Sequence, residues 1–374
     1  MDTLRASLIC IAYAALTTAQ QASISLAPPA NAGTFGNVSQ IISPSFAGMG
    51  IEPSNLFSFT GRSRPNQLSL NLLQNLAGYT GSPPHLRIGG NTADYMIWQG
   101  SWNDWTLPVN QNPVGQGQLA SDLLFFGPKY FQAMDRFPTG TPITFGLNLA
   151  YSNADYMQNL VNEANAALNY TSNVNIFSFE IGNEPDLYLQ NGFRNGTWNN
   201  FVYAQEWTDR ADVVYQQVLK PRGIASSFFE AAGTASTIGN SFEVLQLSET
   251  VLVTPVNGTP TVNNTFLVGW SQHDYFYYIG VSGYGLYLDF LMDISQTVLQ
   301  FAAWVDNTHQ AQRTGKPYYL REMATVGPVG LAGISDVFGM FKIQQYPRRQ
   351  SRQILIILQV LHYGSSTFSS TRQH

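Results

Sequence analysis

The sequence is poor in cysteine and in charge. Cys10 is the single cysteine among 374 residues, and only 11% of the residues are Asp, Glu, Lys or Arg, against roughly 25% in an average soluble domain. A disulfide framework is thereby excluded, and stability has to come from packing. With a formal net charge of −5, the chain lacks the basic footprint of a nucleic-acid-binding protein. No G-x-G-x-x-G opens a helix, so a nucleotide cofactor has no cradle. No G-x-S-x-G elbow occurs and only five histidines are present, which leaves a Ser/His/Asp hydrolase without its parts. His273 and Asp274 are possible ligands, yet no His/Cys/Asp cluster stands at metal-ligand spacing. Neither a metal nor any other cofactor is expected.

Apolar and aromatic residues are plentiful instead: 44% of the chain is hydrophobic and 13% aromatic, with 23 Phe, 19 Tyr and 32 Gly. That is ample for one large core, and the surface must then be covered largely by Asn, Gln, Ser, Thr and Tyr. The N-terminus, MDTLRASLICIAYAALTTAQQ, places one Arg before a short apolar run and Thr17-Thr18-Ala19 before Gln20. This is expected to be a secretory signal peptide over residues 1–19. The run is shorter than the roughly 20 residues that a bilayer demands, so no membrane association is expected after cleavage. Cys10 would leave with the signal. N-x-S/T sequons at Asn37, Asn169, Asn195, Asn257 and Asn263 suit a secreted glycoprotein with those positions on surface loops.

Along the chain, short apolar and β-branched runs recur at Phe46–Ile51, Leu86–Ile88, Ile143–Leu149, Ile176–Ile181, Phe228–Gly233, Leu267–Trp270 and Pro317–Leu320. Longer stretches with helical spacing lie between them, among them Leu119–Phe137, Asp155–Leu168, Trp198–Leu219 and Leu286–Gln312. Strand and helix alternating in this way imply βαβ units and a parallel sheet. Seven strands predict a (β/α)8 TIM barrel over residues 20–339. Residues 337–374 hold no Asp or Glu but include Lys342, Arg348, Arg349, Arg352 and Arg372. An eighth strand should sit there, and QILIILQVLHYG is a poor candidate for it. Residues 340–374 therefore read as an atypical basic tail.

Catalytic groups of such a barrel stand at the C-terminal ends of its strands. Glu184 follows the fourth run, in FEIGNEPD, and Glu322 follows the seventh, in YYLREM. Two carboxylates facing each other across a sugar are the minimum equipment for glycoside hydrolysis, one donating a proton and one attacking the anomeric carbon. Asn183 can donate to a sugar 2-OH, and Pro185 stops the strand and fixes the turn that carries the glutamate. Glu52 ends the first strand. Arg87, at the end of the second, can pair with a catalytic glutamate, and Tyr275, after the sixth, can hydrogen-bond the nucleophile. Trp98, Trp102 and Trp105 suit sugar stacking or loop packing equally, and Asp104 among them is a candidate ligand for a sugar hydroxyl.

Four segments, LRIGGNTADYMIW, FEIGNEPD, WSQHDYF and YYLREMATVGPVGLAGISDVFG, together resemble glycoside hydrolase family 79. These are the heparanase-like β-glucuronidases, here of the fungal type, and the resemblance runs from about Ser23 to Gly339. It implies a retaining clan with catalytic glutamates on strands four and seven: Glu184 as acid/base and Glu322 as nucleophile. Asn183 matches the residue beside the acid/base, Glu52 an acidic residue that holds sugar hydroxyls, and Tyr275 a tyrosine near the nucleophile. The glucuronate carboxylate would be bound partly by the loop Thr325–Val329, through backbone N–H groups. Members normally continue into an eighth strand and a C-terminal β-sandwich that takes in an N-terminal strand, here SISLAPP. The chain departs from them in its basic tail, as a mis-spliced or frameshifted gene would, and the barrel is expected to be incomplete on that side. The partner implied is a glucuronic-acid-capped glycan. A clan relative cleaving a neutral β-glycoside, or an inactive truncated product, are the alternatives.

Overall fold

Alternation of polar and apolar residues within the longer barrel strands dictates the architecture. In the computed structural model, residues 43–46, 48–235, 241–252, 266–278 and 294–327 are described. The strands in chain order are β1 (Met49–Ile51), β2 (Leu86–Ile88), β3 (Met96–Trp98), β4 (Leu124–Phe126), β5 (Pro142–Leu147), β6 (Asn175–Ile181), β7 (Phe229–Thr234), β8 (Leu267–Tyr278) and β9 (Tyr318–Gly327). Seven of them form one sheet in the order β1-β2-β5-β6-β7-β8-β9, with every neighbouring pair parallel. Its two edge strands approach each other. A Cβ placed on Gly50 of β1 would lie 3.5 Å from the Arg321 carbonyl oxygen of β9. The sheet is thus a nearly closed barrel of seven strands, an incomplete (β/α)8 fold.

Helices cover the outside, among them Gln67–Thr80, Pro128–Met134, Tyr156–Asn169, Asn200–Val214 and Ile294–Arg313. Asn199 starts the fourth of these by accepting from the Phe201 and Val202 N–H groups with its side chain, which satisfies two of the orphan donors of a helix start. Outward-facing strand residues bury against these helices. Phe145 of β5 meets Phe131 with ring centres 5.3 Å apart, and Phe229 of β7 meets Trp207 at 6.1 Å. Ile88, Leu147, Phe179, Ile181 and Trp270 are likewise buried. Burial of each such side chain contributes about 1.5–3 kcal/mol.

The inward-facing set is polar, unlike the Val, Ile and Leu layers that usually fill such a barrel. At its lower end Glu230 accepts two bonds from Arg321, at 2.8 and 2.6 Å, one from Ser178 at 2.7 Å and one from Thr144 at 3.1 Å. His85 closes this cluster on Thr144 at 2.9 Å. Above it Glu180 accepts from Ser271 and, at 2.7 Å, from Arg87. A register shift between β8 and β9 sets Leu320 opposite Gln272 but Glu322 opposite His273, leaving Arg321 as an extra residue. This bulge lets two consecutive residues reach the interior: Arg321 down to Glu230 and Glu322 up to Arg87.

Several sequence expectations need correction. Leu119–Phe137 is not one helix. Leu124–Phe126 pairs with Met96–Trp98 as a parallel two-stranded sheet, and the helix begins at Pro128. Gly127 is extended at φ −136° and ψ −166°, as the residue before a proline tends to be, and Pro128 can enter a helix only in its first turn. The sixth and seventh strands extend well past the apolar runs, to Tyr278 and Gly327, because their polar residues alternate into the hydrogen-bonded interior. Glu322 therefore lies within a strand rather than after one. Residues 1–19, SISLAPP, the tail 340–374, and the sequons Asn37, Asn257 and Asn263 lie outside the described residues. Asn169 and Asn195 are both exposed. Among the described residues no helix is long and apolar enough to cross a membrane.

Replacing Arg321 by Met should destabilise the fold by about 3–5 kcal/mol, because Glu230 would be left as an unpaired buried charge. The double variant Arg321→Met/Glu230→Gln should recover most of that loss in urea denaturation. Equal loss in both variants would refute this account of the lower cluster.

Candidate active site

Glu184 sits just past the end of β6, where Gly182 turns the chain at φ 85°. A Cβ on Gly182 would come within 2.6 Å of the Leu149 side chain. Glu184 itself has φ 50° and ψ 56°, and among the described residues it is the one non-glycine with positive φ. Such a backbone costs about 1–3 kcal/mol and persists only where the surroundings over-determine it. Here the Glu184 N–H donates to the Gly233 carbonyl at 2.7 Å and its carbonyl accepts from Leu187 at 2.9 Å. Pro185 opens the following turn, and its carbonyl accepts from the Trp198 indole at 2.7 Å.

Asp94 braces the same turn from the β2 side. One of its oxygens accepts from the N–H groups of Leu149 and Ala150 at 3.0 and 3.1 Å. The other accepts from the Asn183 N–H at 2.9 Å and the Tyr188 hydroxyl at 2.6 Å. Sequence reading missed Asp94. Nothing in GGNTADY distinguishes a bracing carboxylate from an ordinary loop residue.

Glu322 reaches the cleft from β9, with 26% of its side chain exposed against 12% for Glu184. The Tyr275 hydroxyl donates to its Oε1, and Arg87 Nη1 donates to its Oε2 at 2.8 Å. Burial pushes its pKa up, but the charges of His273 and Arg87 and the hydrogen bonds from Tyr275 and Arg87 outweigh this and hold it at about 2. It is therefore ionised at neutral and mildly acidic pH. Burial, then the Glu322 charge, keeps the Tyr275 phenol a neutral donor. Arg87 is only 2% exposed. Its three nitrogens serve Glu180, Glu322 and, at 2.8 Å, the Asn183 side-chain oxygen. Burial opposes its charge, and the carboxylates of Glu180 and Glu322 more than restore it.

His273 is fully buried on β8. Its Nδ1 lies 3.1 Å from Glu184 Oε1 and 3.8 Å from Glu322 Oε2. Burial disfavours its charged form, but Glu322 and Glu184 outweigh that and raise its pKa. Glu184, His273 and Glu322 each offer one potential ligand atom, all within 4.8 Å of one another. The Arg87 guanidinium, 2.8 Å from Glu322, makes this trio a poor host for a cation.

Glu52 ends β1 with its Oε1 accepting from the Thr92 N–H at 2.6 Å and the Thr92 hydroxyl at 2.5 Å. Burial and the neighbouring Glu322 charge push it to about 7, against the Thr92 hydrogen bonds. Asn183 donates to the Asn91 side chain at 3.0 Å. The structure thus brings together Glu184, Glu322, Asn183, Arg87 and Tyr275, with Glu52 close enough to feel Glu322. Asp104 is not brought to them: it is exposed, and its carboxylate accepts from the N–H of Trp105 in its own loop. The tryptophans of that segment pack within the protein. Trp98 lies against Phe126, Phe131 and Tyr170, and Trp105 against Phe57 with Arg136 over its ring.

Four acids, Asp94 and Glu163 buried and Glu52 and Asp186 half-buried, carry raised pKa values: Glu52 at about 7, Asp94 and Asp186 at about 6, and Glu163 at about 8, with desolvation the largest cause in each. A raised folded pKa gives stability that is fully present below the unfolded value and lost as pH rises through the folded one. Against these four, His85, lowered to about 3 by burial, loses stability as pH falls below its ordinary value. Glu322 loses its contribution as pH falls from 4.5 towards 2. The melting temperature should therefore peak near pH 4–5 and decline steadily to about pH 8. A thermal-shift series with its maximum above pH 7 would contradict these burial assignments.

No family-wide sequence profile matches the chain. A β-glucuronidase of Neurospora crassa is 30% identical over 217 residues, covering 55% of this chain and 36% of that protein. A β-glucuronidase of Aspergillus niger is 28% identical over 308 residues, covering 79% of this chain and 53% of that protein. The crystal structure of a 4-O-α-L-rhamnosyl-β-D-glucuronidase from Fusarium oxysporum is similar at a TM-score of 0.61 and 20% identity, over 81% of this chain and 58% of that one. The barrel fold is thereby supported, and the resemblance to fungal β-glucuronidases read from the motifs holds. The chain spans between a third and about half of the length of the curated relatives it matches.

Proposed function

We propose that this relative of the fungal β-glucuronidases is a secreted, retaining, exo-acting β-glucuronidase that removes terminal β-linked glucuronic acid from glycans. Residues 20–339 would form its catalytic domain behind a signal peptide over residues 1–19. One observation carries the mechanism: an oxygen of Glu184 and an oxygen of Glu322 lie within 4.8 Å of each other. Retaining glycosidases hold their carboxyl groups about 5–5.5 Å apart, whereas inverting ones leave about 6.5–9.5 Å for a water. The relatives' names support the glucuronide, and the charges and hydrogen bonds that hold Glu322 ionised support the roles.

In this reading Glu322, ionised and oriented by Tyr275 and Arg87, attacks the anomeric carbon while Glu184 protonates the departing glycosidic oxygen. A glycosyl ester forms on Glu322 and the aglycone alcohol leaves. Glu184, now ionised, takes a proton from water, which attacks the same carbon, releases glucuronic acid and restores both carboxyls. Asn183 lies on Arg87 beside both and is placed to donate to the sugar 2-OH. Glu52 is placed for other hydroxyls. Arg87 is committed to three partners in the cleft and is not free for the glucuronate carboxylate. Of Thr325–Val329, Thr325 to Gly327 belong to β9 rather than to a loop, and the rest lies outside the described residues. The same commitment of Arg87 favours the second reading, a neutral β-glycoside as substrate.

Hydrolysis of p-nitrophenyl β-glucuronide and of the matching β-glucoside by the purified chain separates the two. Glu322→Gln should abolish turnover of either. Glu184→Ala should keep slow turnover of substrates with good leaving groups, which need no acid, and lose about 10²–10⁴-fold on poor ones. Wild-type rates in both variants would refute the site.

A further inference from the structure

The machinery above gives no task to His273, although this imidazole is fully buried between the two glutamates. Its position is set by the sheet. His273 is the Cα partner of Glu322 across β8 and β9, and it follows Ser271 and precedes Tyr275 on the inward face, both of which bond other members of the site. The bulge at Arg321 creates that register. Nδ1 meets Glu184 Oε1 at 3.1 Å, while Nε2 is buried with no hydrogen-bond partner among the described residues. Glu322 and Arg87 face the ring as well, and Asp186 acts on it electrostatically.

We propose that His273 is a positioning residue for Glu184: a hydrogen on Nδ1 donates to Oε1 and thereby makes Oε2 the oxygen that delivers and recovers the proton. The proposal rests on the reading of Glu184 as acid/base.

The argument is one of donors. A carboxyl group that must release a proton to a leaving oxygen presents two equivalent oxygens unless a fixed donor occupies one. Nδ1–H is such a donor in the neutral Nδ1–H tautomer and in the imidazolium alike. The partnerless Nε2 leaves the ring no second anchor, so its hydrogen bond to Glu184 is what its polar chemistry serves. Buried imidazoles that orient a neighbour hold one tautomer through such a contact. In the first step the held carboxyl passes its proton from Oε2 to the glycosidic oxygen. In the second, the same oxygen accepts a proton from water while the N–H remains on Oε1.

Leaving-group dependence tests this. His273→Leu should lower kcat/KM by about 10–100-fold on glucuronides of poor leaving groups, and by less than about threefold on 2,4-dinitrophenyl glucuronide, which needs no acid. His273→Asn, whose amide nitrogen can stand near Nδ1, should recover most of the loss. A loss equal across leaving groups, or none at all, overturns the proposal. Glu184→Ala is the control: if it shows no leaving-group dependence, the acid/base reading fails rather than the role of His273. A second measurement is independent of turnover and of any variant's folding. In 15N-imidazole NMR of the wild-type chain, the His273 signal should report a protonated Nδ1. A ring protonated on Nε2 alone would reverse the donor and sink the idea.

Discussion

The structure depends on one guanidinium. Arg87 stands 2% exposed in the barrel and binds Glu180 of β6, Asn183 of the following turn and Glu322 of β9. Each of those three groups would be costly to bury alone. An ionised carboxylate taken out of water loses several kcal/mol after relaxation, and only close, well-aligned partners return it. Arg87 returns it for two carboxylates at once. The geometry of Glu322, the Asn183 side chain and the middle of the barrel are therefore one problem with one solution. The chain can bring it from a three-residue strand, Leu86–Ile88, because both flanking residues face outward into the apolar core.

A polar barrel interior has a second consequence. Where aliphatic layers would tolerate sliding, a stack of directional bonds does not: each donor has one acceptor at one height. Ser271, His273 and Tyr275 follow each other at every second residue of β8 and bond Glu180, Glu184 and Glu322. The alternation that makes a strand converts directly into a column of site residues. Orientation is bought at the expense of a hydrophobic filling, and the outer layer of Phe, Leu, Ile and Trp supplies the stability that the inner one does not.

Much of this was legible in the sequence. Seven apolar runs mark the seven barrel strands, and two glutamates at the fourth and seventh fall together as strand counting requires. Arg87, Asn183 and Tyr275 join them. Boundaries failed where polarity and strand coincide, since counting apolar residues halts at Ser271 although the backbone runs on to Tyr278. Periodicity also merged Leu124–Phe126 with the helix that starts at Pro128, because LFF fits either element. Glu180 was readable in principle, as a charge alternating with Phe177, Phe179 and Ile181 inside a strand. Asp94 was not, because its four donors come from two stretches of chain more than 50 residues away in sequence. Asp104 looked like a ligand only through its tryptophan neighbours, and those rings face the protein.

The two glutamates are supported in different ways. Glu184 hangs on a left-handed turn held by the Gly233 carbonyl of β7, by Pro185 and, through Asn183, by Asp94 beyond β2. Glu322 lies in regular strand and is fixed through its side chain by Tyr275 and Arg87. A backbone-held carboxyl and a side-chain-held one respond differently to distortion: the first moves with the loops, the second with the barrel. Two residues couple them, Arg87 through Asn183 and His273 through its contact with Glu184. The spacing between the two carboxyl groups is set by this pair of ties. Each of these contacts is made by a residue between Arg87 and Glu322, so the relation between the two carboxylates is written in the barrel strands and the turn that follows β6.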